Sequence, residues 1–143
     1  MAITQLSVFL ENKPGQLSAA VRSISDAGVN IRAMSLADTK DFGILRIIVS
    51  DIAKTKQVLS GSSIVTETKV IAVRMDDQEG ALYKVLQALE GANVNVEYMY
   101  AFTAPGASGA YVILRVDDVE AAETQLGAAG MTTLSDEGLK NIL

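Results

Sequence analysis

The chain of 143 residues repeats itself, and this constrains its fold more than any other feature. A self-match at a fixed spacing means that each copy is one supersecondary unit. Setting residues 6–36 against 71–101, an offset of 65 from Gly15 to Gly80, gives seven identities in thirty-one pairs. They are Val8/Val73, Gly15/Gly80, Leu17/Leu82, Ala27/Ala92, Val29/Val94, Asn30/Asn95 and Met34/Met99. After a two-residue insertion near Pro105 and Gly106 the offset becomes 67, aligning Val49/Val116, Asp51/Asp118, Ile52/Val119 and Leu59/Leu126.

Within each copy the hydrophobic period changes in the same order. Leu6, Val8 and Leu10 alternate as in a half-buried strand; Leu17, Ala20, Val21 and Ile24 follow at helical spacing, and Gly28 ends the helix. Ile71, Val73 and Met75, then Leu82, Val85, Leu86 and Leu89, are their equivalents. Second strands are expected from Val29 and Val94, and third strands over 44–49 and 111–116 after turns at Asp41-Phe42-Gly43 and from Pro105 to Gly109. Short helices follow, with Asp51 and Asp118 as N-caps, and last strands are expected over 63–68 and 131–134. The order βαββαβ predicts an α+β fold: two tandem ferredoxin-like domains, 1–69 and 70–143, each with its helices on one face of an antiparallel sheet.

A copy of about seventy residues buries only about 60% of its unfolded surface and should be marginal alone. Thr68-Lys69 runs from one copy into the next without a Pro, Gly or Ser tether, so the halves should pack together. The second strands, 29–36 and 94–102, are apolar enough to need cover at their free edges. Joining those edges would give one eight-stranded antiparallel sheet with approximate twofold symmetry. Pairing with a second chain, as in a homodimer, would serve equally well.

Composition excludes several functions. With 49% hydrophobic and 20% charged residues the chain can build a core, and a net charge of −5 with scattered cations disfavours nucleic acid. Neither a signal peptide nor a membrane span is legible near Ile3 to Glu11, which with the lack of cysteine points to the cytoplasm. Without His or Cys the usual general base, soft metal ligands and thiolate nucleophile are all missing, so neither a metal nor a cofactor is expected. The adjacent acids Asp76-Asp77 and Asp117-Asp118 read as turn residues and caps.

The run Leu6-Ser7-Val8-Phe9-Leu10-Glu11-Asn12-Lys13-Pro14-Gly15-Gln16-Leu17, followed by Gly28-Val29-Asn30-Ile31, resembles the opening of an ACT domain, especially that of the acetolactate synthase regulatory subunit. The repeat carries the resemblance to about Asp136. It implies a regulatory module without catalysis that binds a free amino acid between paired domains and passes the signal to an enzyme or other protein. That subunit is expected to continue into a different carboxy-terminal domain, whereas a second copy follows here.

The candidate ligand residues are Asn12, Lys13, Pro14, Gly15, Gln16 and Leu17 in the first loop, and Asp77, Gly80, Ala81 and Leu82 in the second. A helix N-terminus offers free N–H groups and a positive dipole end to an α-carboxylate, and glycine leaves room for its approach. Gly15 is equally understood as a turn residue needing positive φ, and Asn12 as a helix cap. The resemblance places Asn30 and Asn95 in the ligand pocket; on the residues alone they read as turn residues. Met34, Met99, Tyr98, Tyr100 and Phe102 suit either a pocket wall or packing. From its acids Asp76, Asp77 and Glu79, the second loop is expected to hold a carboxylate less well than the first. A scaffold that binds nothing small, and a small enzyme using Asp, Glu or Lys, are the competing readings.

Overall fold

A computed structural model describes residues 2–103 and 109–142; the expected insertion at Pro105 and Gly106, and the turn leading to Gly109, lie outside the described residues. The elements run β1 (Ile3–Glu11), α1 (Gln16–Asp26), β2 (Ile31–Asp38), β3 (Phe42–Val49), α2 (Ile52–Leu59), β4 (Ile64–Met75), α3 (Ala81–Glu90), β5 (Val96–Phe102), β6 (Ala110–Val116), α4 (Val119–Ala128) and α5 (Asp136–Ile142). They form two compact units, Gln5–Thr68 and Lys69–Leu143, the latter including Met1–Thr4.

In the Gln5–Thr68 unit, β3 lies between β1 and β2, antiparallel to both. Its register puts Leu6 opposite Ile47 and Val8 opposite Leu45, so period-two alternation brings these residues to one face. Ala20 and Ile24 of α1 and Leu59 of α2 close over them in a dry core. In the other unit β6 lies between β4 and β5. Ile71, Val73, Val112 and Leu114 face Val85 and Leu89 of α3 and Ala122 and Leu126 of α4. Each unit is thus the expected α+β arrangement, with paired helices on one face of an antiparallel sheet.

Local chemistry explains the boundaries. Asp51 and Asp118 accept the backbone N–H of Lys54 and Ala121, both at 3.0 Å, and so cap α2 and α4 as expected. α1 ends where Gly28 enters left-handed space at φ 75°, and Val29 N–H donates to the Ile24 carbonyl. Asn93, at φ 56°, takes the same role after α3, because asparagine tolerates that conformation better than other side chains.

Three expectations change. The last strand of the first repeat and the first strand of the second are one twelve-residue strand, β4. Residues 131–134 form a single bridge, Val73 to Thr133, flanked by Arg74 N–H to the Thr132 carbonyl and Leu134 N–H to the Ala72 carbonyl. The chain then turns into α5, where Ser135 Oγ accepts the Gly138 N–H at 2.9 Å, so it cannot extend the ladder. Finally, β2 pairs with β3 and β5 with β6, and neither has a second partner among the described residues. The free edges of β2 and β5 therefore do not join within the chain.

Candidate functional site

The two loops between first strand and first helix share one conformation although their sequences differ. Lys13 N–H donates to the Glu11 carbonyl at 2.9 Å and Gln16 N–H to the Lys13 carbonyl at 3.3 Å; the equivalents, Gln78 to Asp76 and Ala81 to Gln78, measure 2.9 and 3.2 Å. Gly15 and Gly80 occupy the N-cap positions at φ 87° and 81°, with no side-chain cap. Asn12 therefore does not cap α1: the glycine holds the position where a capping side chain would sit. The left-handed backbone is by itself sufficient reason for both glycines. A Cβ at either would meet nothing within 4 Å, so the space beyond them is open.

A glycine N-cap leaves helix donors unsatisfied. The N–H groups of Ala19 and Lys84 reach the carbonyls of Gly15 and Gly80, at 3.0 and 3.1 Å. Those of Leu17 and Ser18, and of Leu82 and Tyr83, have no backbone or side-chain acceptor among the described residues. Each helix thus presents two free N–H groups at its positive end.

A groove lies beside each of these ends. The first, about 370 Å³, is lined by Phe9, Leu10, Glu11, Gln16, Phe42, Ser60, Ser62, Ser63 and Ile64. The second, about 200 Å³, is lined by Arg74, Met75, Asp76, Gln78, Ala81 and Lys84 among others. The repeat offsets make these the same groove twice: Leu10 and Met75, Glu11 and Asp76, and Gln16 and Ala81 correspond.

Their charges differ. Glu11 of the first groove is bound by Lys13 at 2.8 Å, which holds its carboxyl below the usual carboxylate range through a hydrogen bond and charge attraction, and raises Lys13 by the same contact. The second groove has Arg74 and Lys84, at positions equivalent to Phe9 and Ala19 of the first repeat, with Asp76 3.5 Å from Arg74. The loop acids alone do not reveal these two cations, which lie outside the loop, one residue before β4 ends and four residues after Gly80. The lining of the second groove thus holds two cations and one acid.

Of the residues selected from sequence, Gln16 and Ala81 line the grooves. Asn12, Lys13, Pro14 and Gly15, like Asp77 and Gly80, are exposed in the loops alongside, and Leu17 and Leu82 contribute free N–H groups. Asn30 and Asn95 lie elsewhere. The eleven residues of α1 separate Gly15 from Asn30 by roughly 16 Å, so the two do not meet within one repeat. Asn30 N–H donates to Ser50 Oγ and Asn95 N–H to Asp117 Oδ1, both at 2.9 Å. Met34 and Met99 are exposed, whereas Phe102 is buried and stacked on Tyr111 with ring centroids 5.3 Å apart. Among the described residues no group of three or more His, Cys, Asp or Glu could hold a metal, and no helix is long and apolar enough to cross a membrane.

The sequence profile of the ACT domain pair matches residues 1–143. The chain belongs to this family. Among solved structures, protein BT0572 from Bacteroides thetaiotaomicron is 34% identical, with 97% of this chain and 96% of that one covered at a TM-score of 0.90. The ligand-free regulatory subunit of aspartate kinase from Thermus thermophilus shares the fold at 14% identity, covering 89% and 90% of the two chains at a TM-score of 0.61. Aspartokinase III of E. coli, solved in complex with lysine and aspartate, is 12% identical; the match covers 90% of this chain and 32% of that one at a TM-score of 0.52. No curated protein matches the sequence. Both ACT repeats keep the loop, the left-handed glycine and the groove.

Proposed function

We propose that this ACT domain pair is a regulatory protein that binds a free amino acid and transmits its presence to a partner protein, without catalysing a reaction. The observation that carries the reading is the pair of unsatisfied N–H groups beyond Gly80, beside a groove that also holds Lys84 and Asp76. An amino acid is a zwitterion, and this arrangement offers complements to both ends. Leu82 and Tyr83 N–H with Lys84 suit the α-carboxylate, and the Asp76 carboxylate suits the ammonium group. Arg74, beside Asp76, keeps the groove from being acidic overall. A groove of about 200 Å³ suits a small ligand. The equivalent groove beside Gly15 lacks both cations and is assigned the weaker affinity. The regulatory subunit and the amino-acid-bound aspartokinase noted above agree with this role. Coupling of about 1–3 kcal/mol to a partner is typical of such signals.

A thermal-shift screen of the full chain against the free amino acids tests the reading. A ligand at a hundred times its dissociation constant raises stability by about 2.7 kcal/mol. One amino acid or a related set should raise the melting temperature, and Lys84→Ala should weaken the effect. No shift with any amino acid would favour the scaffold reading instead.

A further inference from the structure

The first groove has an aromatic wall that the second lacks. Phe9 stands opposite Ile44 and Glu11 opposite Phe42, which makes Phe9 and Phe42 diagonal neighbours on the sheet face turned away from α1 and α2. Ile64 of β4, the strand next to β1, joins them on that face, because the following residue, Val65, packs on the core. Phe42 is 52% and Ile64 70% exposed. The groove they line holds about 370 Å³, within the roughly 300–1,000 Å³ of small-molecule sites. We infer that this groove is a site for a flat, uncharged aromatic ring bearing an amide, carbonyl or hydroxyl group, bound between Phe9 and Phe42. The inference stands on this groove alone and not on the amino-acid assignment beside Gly80.

The spacing of the two rings suits one ring between them. Diagonal residues of an antiparallel pair stand about 7–8 Å apart, and carbon atoms attract best at about 3.5–4.0 Å, so the gap takes one ring in contact with both walls. Neither Phe9 nor Phe42 is paired with another aromatic ring among the described residues, which leaves their faces open. Covering the exposed apolar surface of Phe42 and Ile64 supplies the driving force, and contact between rings adds to it.

The polar groups of the groove set the charge of its ligand. The hydroxyls of Ser60 and Ser62 donate to the carbonyls of Gln57 and Leu59. The Gln16 amide and the Ser63 hydroxyl make no side-chain hydrogen bond among the described residues, so they offer neutral donors and acceptors to a ring substituent. Glu11 is the charged residue of the lining, and Lys13 already holds it at 2.8 Å. A carboxylate on the ligand would meet Glu11 and no cation of the lining, and the free N–H groups of Leu17 and Ser18 lie outside that lining.

The fold does not require this wall. At the positions of Phe9, Phe42 and Ile64 the second repeat has Arg74, Gly109 and Met131. A Cβ at Gly109 would meet the Met75 carbonyl oxygen at 2.7 Å, so no ring fits there. The slot therefore belongs to the sequence of the first repeat, and the two grooves differ in the chemistry they accept.

Titration of the full chain with three small probes, followed by nuclear magnetic resonance, tests the inference. Benzamide should shift the Phe42 ring and Ile64 methyl signals in a saturable way. Benzoate keeps the ring and adds a charge, and should bind about tenfold more weakly. Cyclohexanecarboxamide keeps the amide on a ring that is neither flat nor aromatic, and should bind about fivefold more weakly. Phe42→Leu keeps an apolar side chain at an exposed position, so the variant should fold, as circular dichroism would confirm, and it should weaken benzamide about fivefold. The absence of a saturable shift at residues 42 and 64 with benzamide overturns the inference. So does equal binding of benzoate or of cyclohexanecarboxamide, or a folded Phe42→Leu that binds benzamide as well as wild type.

Discussion

Replacing Gly80 by Asn and, separately, by Asp isolates the charge of the loop from its backbone. At φ 81° any side chain is strained, but a Cβ there meets nothing within 4 Å, so the penalty is conformational rather than steric. For most residues that strain costs about 1–2 kcal/mol, and less for Asn and Asp, which adopt left-handed space more readily. Both variants should therefore fold and melt within a few degrees of one another. Their affinities for the amino acid should not agree. A carboxylate at residue 80 lies close to the N–H groups of Leu82 and Tyr83 proposed to hold the ligand's own carboxylate. Two like charges about 4 Å apart repel by about 4 kcal/mol at an effective dielectric of 20. Exposure and salt reduce this, but a quarter of it is still about fivefold in affinity. Calorimetric titration should give Gly80→Asp at least about fivefold weaker binding than Gly80→Asn, with Gly15→Asp causing the smaller loss of total binding. Equal affinities for the Asn and Asp variants would refute the carboxylate site, and loss confined to Gly15→Asp would reverse the ranking of the grooves.

Asp51→Ala and Asp118→Ala each remove a cap bond of 3.0 Å and should each cost about 1 kcal/mol in denaturant unfolding. The ion pair of Glu11 and Lys13 sets a pH dependence of known sign: the lowered Glu11 contributes stability above its ordinary pKa and loses it as pH falls through the depressed value. Nuclear magnetic resonance titration should show Glu11 ionising below the usual carboxylate range, returning towards it in Lys13→Ala. A fragment of residues 1–69 cuts β4 in two and leaves fully buried Ile3, which belongs to the Lys69–Leu143 unit, without its surroundings. It should self-associate or melt without cooperativity, as ultracentrifugation and urea unfolding would show.

The features legible in the sequence were those set by neighbouring residues. The stop at Gly28 and the caps Asp51 and Asp118 act within one turn and stand in the structure, and Leu6, Val8 and Leu10 do share one core face; the half-buried strand expected from them is instead buried on both faces, with Gln5 and Ser7 also covered, because what covers the second face is not written in local alternation. Asn12 misled because a side-chain cap and a left-handed glycine compete for the same helix end, and only the backbone decides between them. α5 carried a signal that could have found it: Ser135 before Asp136-Glu137 is a capping residue followed by acids at a helix start. The cations of the second groove carried no such signal. Arg74 reaches it from the end of a strand and Lys84 from the first turns of a helix, and their convergence comes from packing rather than spacing.

The twelve residues of β4 also limit how these genes can drift. Val65 packs on the core of the first repeat, and Ile71, Val73 and Met75 on that of the second, so the positions that face these two cores fall on odd numbers along one uninterrupted strand, while Val70 and Ala72 are buried on even ones. Side chains alternate faces, and an insertion or deletion of one residue between Val65 and Ile71 would throw the two halves out of phase, turning one set of inward side chains to the wrong face. Two residues preserve the phase. Length variation here should be tolerated only in even steps, or with a bulge that absorbs the odd residue.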